Sequence, residues 1–472
     1  METLVIGLFW VLAAQVLIGK PRTGLCIFFG SLPFGALAVI PTALTGGLTL
    51  TPTPIIALLI GARLLLNRQD RSSLAGIALS KNGTVYLTVF WMIACAATLL
   101  MPRIFESEVT IFPIRSSDMI VEELLHPTTQ NFSQLTYLSI SVFAVFCFVR
   151  LTHKNFNVAD LLGPIRLGAL ITVATGAIDY ASNFVNLSAL LDPFRTASYA
   201  LLTSNEVFGN KRTVGLMPEA SSYGSVCVFF LSLLYFLRLT VHKDPLGYAK
   251  NIGLVFALVL MALLSTSSAA IVCVGVFLVL VVVDWLWHDV SIRKTPLTKT
   301  ALLWGCVLSL VALFLSFQPR LLSELSDIFS HMILYKKESH SYEERTLWTT
   351  VSLQALQDTY GLGVGVGGTR TSSFLAALFS NTGVLGGFFF LAFLLKALLG
   401  RWSYYRSPRF RSVQRGLFFA FIPPFVNLLL VGTTADFGLA LAYLLGIKLG
   451  LVSRYPARSS ELKLEPQPQG AR

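Results

Sequence analysis

The sequence predicts an all-α fold, a polytopic membrane helix bundle of 12–13 spans carrying a large helical extracytoplasmic loop. Three observations lead there. Hydrophobic residues make up 54% of the 472 positions and charged residues only 13%, about half the roughly 25% usual in soluble domains. Apolar runs near the length that crosses a bilayer, about 20 residues, recur along the whole chain. The basic residues collect between those runs in an asymmetric way. This composition excludes a water-soluble globular enzyme, a disordered chain and a small disulfide scaffold.

Taken in order, the candidate spans lie near 3–19, 23–40, 53–66, 84–101, 134–149, 164–182, 219–238, 251–265, 268–287, 300–318, 372–398, 416–432 and 436–452. The first three are short, which leaves the count at 12 or 13. The run Leu4–Gly19 follows Glu2 instead of a basic segment and precedes Lys20 and Arg22, so it reads as a retained span. The chain forms a single integral membrane domain over 1–472, with a large outer loop at 319–371 and a polar tail at 456–472. No internal repeat is visible.

Orientation follows from lysine and arginine. Segments 20–22, 63–81, 150–166, 238–250, 284–299, 396–415 and the tail from Lys448 hold 26 Lys+Arg and 7 Asp+Glu, leaving 10 basic and 17 acidic residues for the other face. The first set is therefore expected in the cytoplasm, together with the tail. The net charge of +12 thus reflects a membrane surface and not nucleic-acid binding. The six cysteines (Cys26, Cys95, Cys147, Cys227, Cys273 and Cys306) lie in or beside apolar runs without a CxxC pair, and they read as small buried residues. His126, His331 and His340 lack HxxxH or HExxH spacing, so neither a metal site nor a cofactor is expected. Asp179 and Asp436, at span ends, are expected at the interface.

On the outer face, where basic residues oppose orientation, the few that occur invite a functional reading. Lys211 and Arg212 precede Pro218-Glu219, a good helix start because proline suits the first turn and an acid suits the positive end of the dipole. Ser221, Ser222 and Tyr223 follow. A second group runs from Ser341-Tyr342-Glu343-Glu344-Arg345 through Trp348 to Gly361-Leu362-Gly363-Val364-Gly365-Val366-Gly367-Gly368-Thr369-Arg370-Thr371-Ser372-Ser373. Gly363 to Gly368 formally satisfies GxGxxG, but no strand precedes it, so a dinucleotide site is not indicated. A glycine stretch opening a membrane helix is instead expected to present backbone N–H groups to an anion, with Arg370, Ser372 and neighbouring hydroxyls as added donors. Within the loop, Leu321, Leu322, Leu325, Ile328 and Phe329, and then Leu347, Val351, Leu353, Leu356 and Tyr360, recur at helical spacing. These stretches are expected as amphipathic helices on the membrane surface or over a cavity. Arg212, Arg345 and Arg370 suggest a clamp for phosphate, since the guanidinium fork pairs bidentately with phosphate oxygens. Outside the cytoplasm a lipid such as a polyprenyl diphosphate is the fitting carrier.

At these residues the chain resembles the bacterial O-antigen and exopolysaccharide polymerases of the Wzy type, within the superfamily that includes the O-antigen ligases. The resemblance covers roughly 205–400. It rests on Arg212-x-x-Gly215-x-x-x-Glu219, the Ser265-Thr266-Ser267-Ser268 turn, Arg345 followed by Trp348, Gly361-x-Gly363, the polar start of the next span and Gly383. It implies a GT-C-like, metal-independent inverting glycosyltransferase in the bacterial inner membrane. Its active site would face the periplasm and use an undecaprenyl-diphosphate-linked glycan. By that analogy Arg212 and Arg345 hold the leaving diphosphate, Lys211, Ser222, Tyr342, Gly363, Gly365, Arg370 and Ser372 assist in binding, and a chain-length regulator is a candidate protein partner. The ligase branch carries an arginine in its serine-rich turn, where this chain has Ser268 or Ala269. It also carries a histidine after the large loop, where this chain has Ser372-Ser373. Both departures favour polymerase over ligase and leave the general base unassigned. Glu219 is best placed for it, followed by Glu343, Glu344 and His340. A lipid-linked oligosaccharide flippase is the alternative from another class, although transporters often carry an internal repeat.

Overall fold

The computed structural model describes residues 2–41, 44–81, 83–114, 122–154, 158–199, 201–203, 206–207, 210–238, 245–288, 340–400 and 408–454. They form α1 (Glu2–Ile18), α2 (Pro21–Ser31), α3 (Pro52–Leu66), α4 (Arg68–Ala78), α5 (Thr84–Ile104), α6 (Thr129–His153), α7 (Val158–Ala181), α8 (Ser188–Leu191), α9 (Ala220–Phe236), α10 (Pro245–Leu264), α11 (Ser268–His288), α12 (His340–Asp358), α13 (Phe374–Leu399), α14 (Pro408–Val431) and α15 (Gly438–Arg454). Two antiparallel ribbons complete them: β1 (Thr110–Ile111) with β2 (Glu123–Leu124), and β3 (Glu206–Val207) with β4 (Asn210–Lys211).

Among the described residues, six helices are long and apolar enough to cross a bilayer: Thr84–Ile104, Thr129–His153, Leu161–Ala181, Ser268–Leu286, Phe374–Leu399 and Ser412–Val431. Five shorter apolar helices stand beside them, at Glu2–Ile18, Pro52–Leu66, Ala220–Phe236, Asn251–Leu264 and Gly438–Ser453. The chain is a multi-pass membrane protein. One expected span is corrected. The run 23–40 is helical only to Ser31, because Pro33 has no N–H with which to continue the ladder, and the chain then runs irregularly to Pro52. The expected span at 300–318, the loop portion 319–339 and the tail 456–472 lie outside the described residues.

Packing follows from composition. α9 is apolar beyond its serine-bearing first turns and occupies the middle, its Tyr223, Phe229, Phe230 and Leu233 buried against α7, α10, α11 and α14, as expected of a largely apolar helix. α15 packs along α6 at close range because Gly446 and Gly450, one turn apart, leave no side chain. A Cβ at Gly446 would stand 2.6 Å from that of Phe148, and one at Gly450 2.6 Å from that of Thr152. Small residues at this spacing let membrane helices approach and gain dispersion contacts. Tyr443 fills the space above, edge-on to Phe29 at 4.8 Å and to Phe148 at 5.1 Å.

Ion pairs sort the loops into two ends. Asp70 binds Arg150 at 2.7 Å and also Lys154, and Asp284 binds Arg238 at 3.0 Å and Arg415 at 3.2 Å. Every one of these residues belongs to the basic set of segments. Asp179 pairs with Arg195 and Lys211, both at 2.8 Å, within the other set. Each of these ion pairs therefore joins residues of one set and none joins the two sets.

Candidate functional site

The site grows from the stretch between β4 and α9. Asp179, near the end of α7, is buried and not interfacial as expected. Its carboxylate accepts from Lys211 Nζ and Arg195 Nη2 and from the backbone N–H groups of Val214 (2.7 Å) and Gly215 (3.0 Å). Gly215 turns through φ +57, a conformation that favours glycine, and its carbonyl receives Arg195 at 3.1 Å. The segment 211–215 is thereby fixed. Lys211, expected to bind substrate, is instead committed to Asp179 and Ser182.

Arg212 leaves the same stretch in another direction. Its Nε donates to Thr266 Oγ1 at 3.0 Å and Ser265 O at 3.3 Å, and its Nη2 to Thr266 O at 3.1 Å. The serine-rich turn thus acts as a bracket that holds one edge of the guanidinium. Glu219 caps α9 in extended conformation, and its carboxylate accepts from the hydroxyls of Ser221 and, at 3.5 Å, Ser222.

Arg345 and Arg370 arrive from the late part of the chain. Arg345 sits in the first turns of α12, and its carbonyl receives the hydroxyls of Ser372 at 2.8 Å and Thr349 at 3.0 Å. Ser372 therefore ties the arginine helix to the start of α13. The Arg370 guanidinium lies 4.1 Å from the ring centroid of Trp348, a cation–π platform that orients a cation without consuming its donors. Its backbone N–H binds Phe112 O at 2.7 Å. Among the described residues the guanidinium groups of Arg345 and Arg370 have no hydrogen-bond partner.

These groups share one electrostatic neighbourhood. Burial draws the Arg212 guanidinium below its ordinary range, the Glu219 carboxylate pushes it back up and the charge of Arg345 lowers it again. The Arg370 guanidinium responds to burial, Glu219 and Arg345 in the same directions, with Glu344 also raising it. Arg212 and Arg370, 158 positions apart, thus both feel the charge of one carboxylate. Bringing them together costs free energy through like-charge repulsion, which a bound anion would relieve.

The glycine stretch does not present its backbone to an anion. Gly363 N–H binds Thr359 Oγ1, Val364 N–H binds Ser380 O, Val366 N–H binds Thr98 Oγ1 and Gly367 N–H binds Asn381 Oδ1. Gly363 and Gly365, at φ +80 and +84, are buried. A Cβ at Gly363 would stand 2.6 Å from Gly383 N, and one at Gly365 3.0 Å from Ala97 O. Gly383 itself breaks the helical path of α13 at φ +73, so the two glycine-dependent segments dock backbone to backbone. Their role is to set the position of Arg370 and Ser372.

α12 is helical where expected, but its buried face is Trp348, Ser352, Ala355 and Thr359, with Leu347, Leu353 and Tyr360 exposed. The side chains of His340 and Tyr342 lie outside the described residues.

Beside the cluster opens a cavity of about 1010 Å³ whose lining includes Gly35, Thr49, Tyr137, Tyr199, Glu219, Ser222, Ser225, Arg370, Asn427 and Asp436. The volume is at the upper end of small-ligand sites, about 300–1,000 Å³. Sequence reasoning missed Asp179 and Asp436 as members of this region. The available signal was their position beside apolar spans, since an acid near membrane depth must be paired or functional. The chain matches no protein-family model, and no curated protein matches it.

Proposed function

We propose that this chain is a polysaccharide polymerase of the inner membrane, joining undecaprenyl-diphosphate-linked repeat units on the periplasmic side. One observation carries the reading. Arg212 and Arg370 both feel the charges of Glu219 and Arg345, the guanidinium donors of Arg345 and Arg370 are unspent among the described residues, and Glu219 and Arg370 line a cavity large enough for sugar. The arginines suit the diphosphate of a carrier lipid because each offers planar, permanently charged donors.

In this reading a hydroxyl of the incoming repeat attacks the anomeric carbon of the growing chain, inverting it. The bond to the diphosphate oxygen breaks, and the electron pair departs with the leaving group. Diphosphate is already a competent leaving group, so neutralising its developing charge and aligning the two sugars are the main tasks. Loss of a single preorganised donor typically costs ~2.7–4 kcal/mol.

The test is reconstitution. Purified full-length protein is given lipid-linked repeat units and no other acceptor, and the products are separated by size. A ladder of lengths is expected. Transfer only after lipid A–core is added would establish a ligase instead, and movement of the lipid across vesicles without new glycosidic bonds would establish a flippase.

A further inference from the structure

A transfer of this kind needs a group to receive the proton of the attacking hydroxyl, and the cavity wall offers two carboxyl groups, Glu219 and Asp436. Their surroundings differ in kind. Glu219 carries the charge that Arg212 and Arg370 both feel, and it accepts hydrogen bonds from Ser221 and Ser222. Its carboxylate is thus already engaged by hydroxyl donors and cationic neighbours.

Asp436 lies in the turn between α14 and α15. Its Oδ1 accepts the Gly438 N–H at 3.0 Å, and among the described residues no lysine, arginine or histidine pairs with it. The titratable groups around the same cavity are Tyr137, Tyr199, Glu219 and Arg370. Both tyrosines are committed, Tyr137 donating to Thr49 O and Tyr199 to Gly35 O. Burial raises the Asp436 pKa, with Ser141 and the Gly438 N–H pulling it partly back down. Two carboxyl groups on one cavity wall, one engaged with arginines and the other without a cationic partner among the described residues, suit a division of roles.

We propose that Asp436 is the general base of the transfer, while Glu219 remains the partner of the arginines. The assignment rests on the polymerase reading. The acceptor O–H bond breaks, its proton goes to an Asp436 carboxylate oxygen, and the freed electron pair forms the new bond to the anomeric carbon. The lipid diphosphate leaves with the electrons of the broken bond, and the proton passes from Asp436 to solvent before the next cycle.

The experiment compares wild type, Asp436→Asn, Asp436→Glu and Glu219→Gln as purified full-length proteins. The substrate is lipid-linked repeat units extracted from a host strain deleted for this chain. Elongation rate is measured across pH, undecaprenyl diphosphate binding separately. Asp436→Asn is expected to slow elongation by on the order of 10²–10⁴-fold with diphosphate binding unchanged, and to abolish the fall in rate on the acid side. Asp436→Glu should keep that limb but displace it, and Glu219→Gln should keep it in place. An Asp436→Asn protein that retains the limb, or elongates within a few-fold of wild type, overturns the assignment alone. So does one that loses diphosphate binding together with activity, since the residue is then structural. A wild-type chain that makes no glycosidic bond overturns the polymerase reading and the assignment with it.

Discussion

Lys211 and Arg212 are neighbours in sequence and end in two opposite kinds of site. Lys211 enters a closed knot in which the Asp179 carboxylate is buried and accepts from two cations and two backbone N–H groups. Arg212 enters an open cluster in which it and Arg370 both feel the charges of Arg345 and Glu219, the latter on the wall of a cavity. A buried carboxylate held by two cations and two backbone N–H groups fixes a loop. A cluster with surplus charge and spare donors is costly unless something of opposite sign arrives. The contrast separates scaffold from site within ten residues of chain.

The largest expected effect lies in the knot. Asp179→Ala leaves Arg195 and Lys211 without their counter-charge and should cost about 3–5 kcal/mol, read as a large fall in thermal midpoint in detergent. A midpoint near that of wild type would show that the knot does not hold the loop. Next comes the glycine docking. Gly363→Ala places a methyl against the backbone of Gly383 in left-handed conformation and should lose about 1–3 kcal/mol, measured by the same melt. If it melted normally yet bound diphosphate poorly, the stretch would be an anion cradle after all. The smallest effect sharpens the other side. Arg370→Lys keeps the charge but weakens stacking on Trp348, which is worth about 0.5–1 kcal/mol. A few-fold loss of undecaprenyl diphosphate affinity with an unchanged melting midpoint is the expected result.

Much of this arrangement could be read from the residues themselves. Apolar runs carried the placement of the helices, because a chain in a bilayer must satisfy its backbone within each segment. Arg212, Arg345 and Arg370 stood out because cations are scarce in the segments outside the basic set, and Glu219 because it follows Pro218 at a helix start. Three matters were not legible. The end of α2 depended on Pro33 inside an otherwise continuous apolar run. The glycine stretch 361–368 has the same pattern whether its N–H groups face an anion or protein, and only the partners Thr98, Thr359, Ser380 and Asn381 decide. The pairing of Asp179 with Lys211 joins positions 32 apart through a turn that nothing local announces.

The central claim is that Arg212 and Arg345 grip one ligand together, and a double-mutant cycle on undecaprenyl diphosphate binding tests it most directly. Arg212→Ala and Arg345→Ala should each weaken binding by about 1.5–3 kcal/mol. The double variant should lose less than the sum, with a coupling of about 0.5–3 kcal/mol between them. Wild-type affinity in both single variants, or strict additivity in the double, would mean that the two arginines do not share a diphosphate.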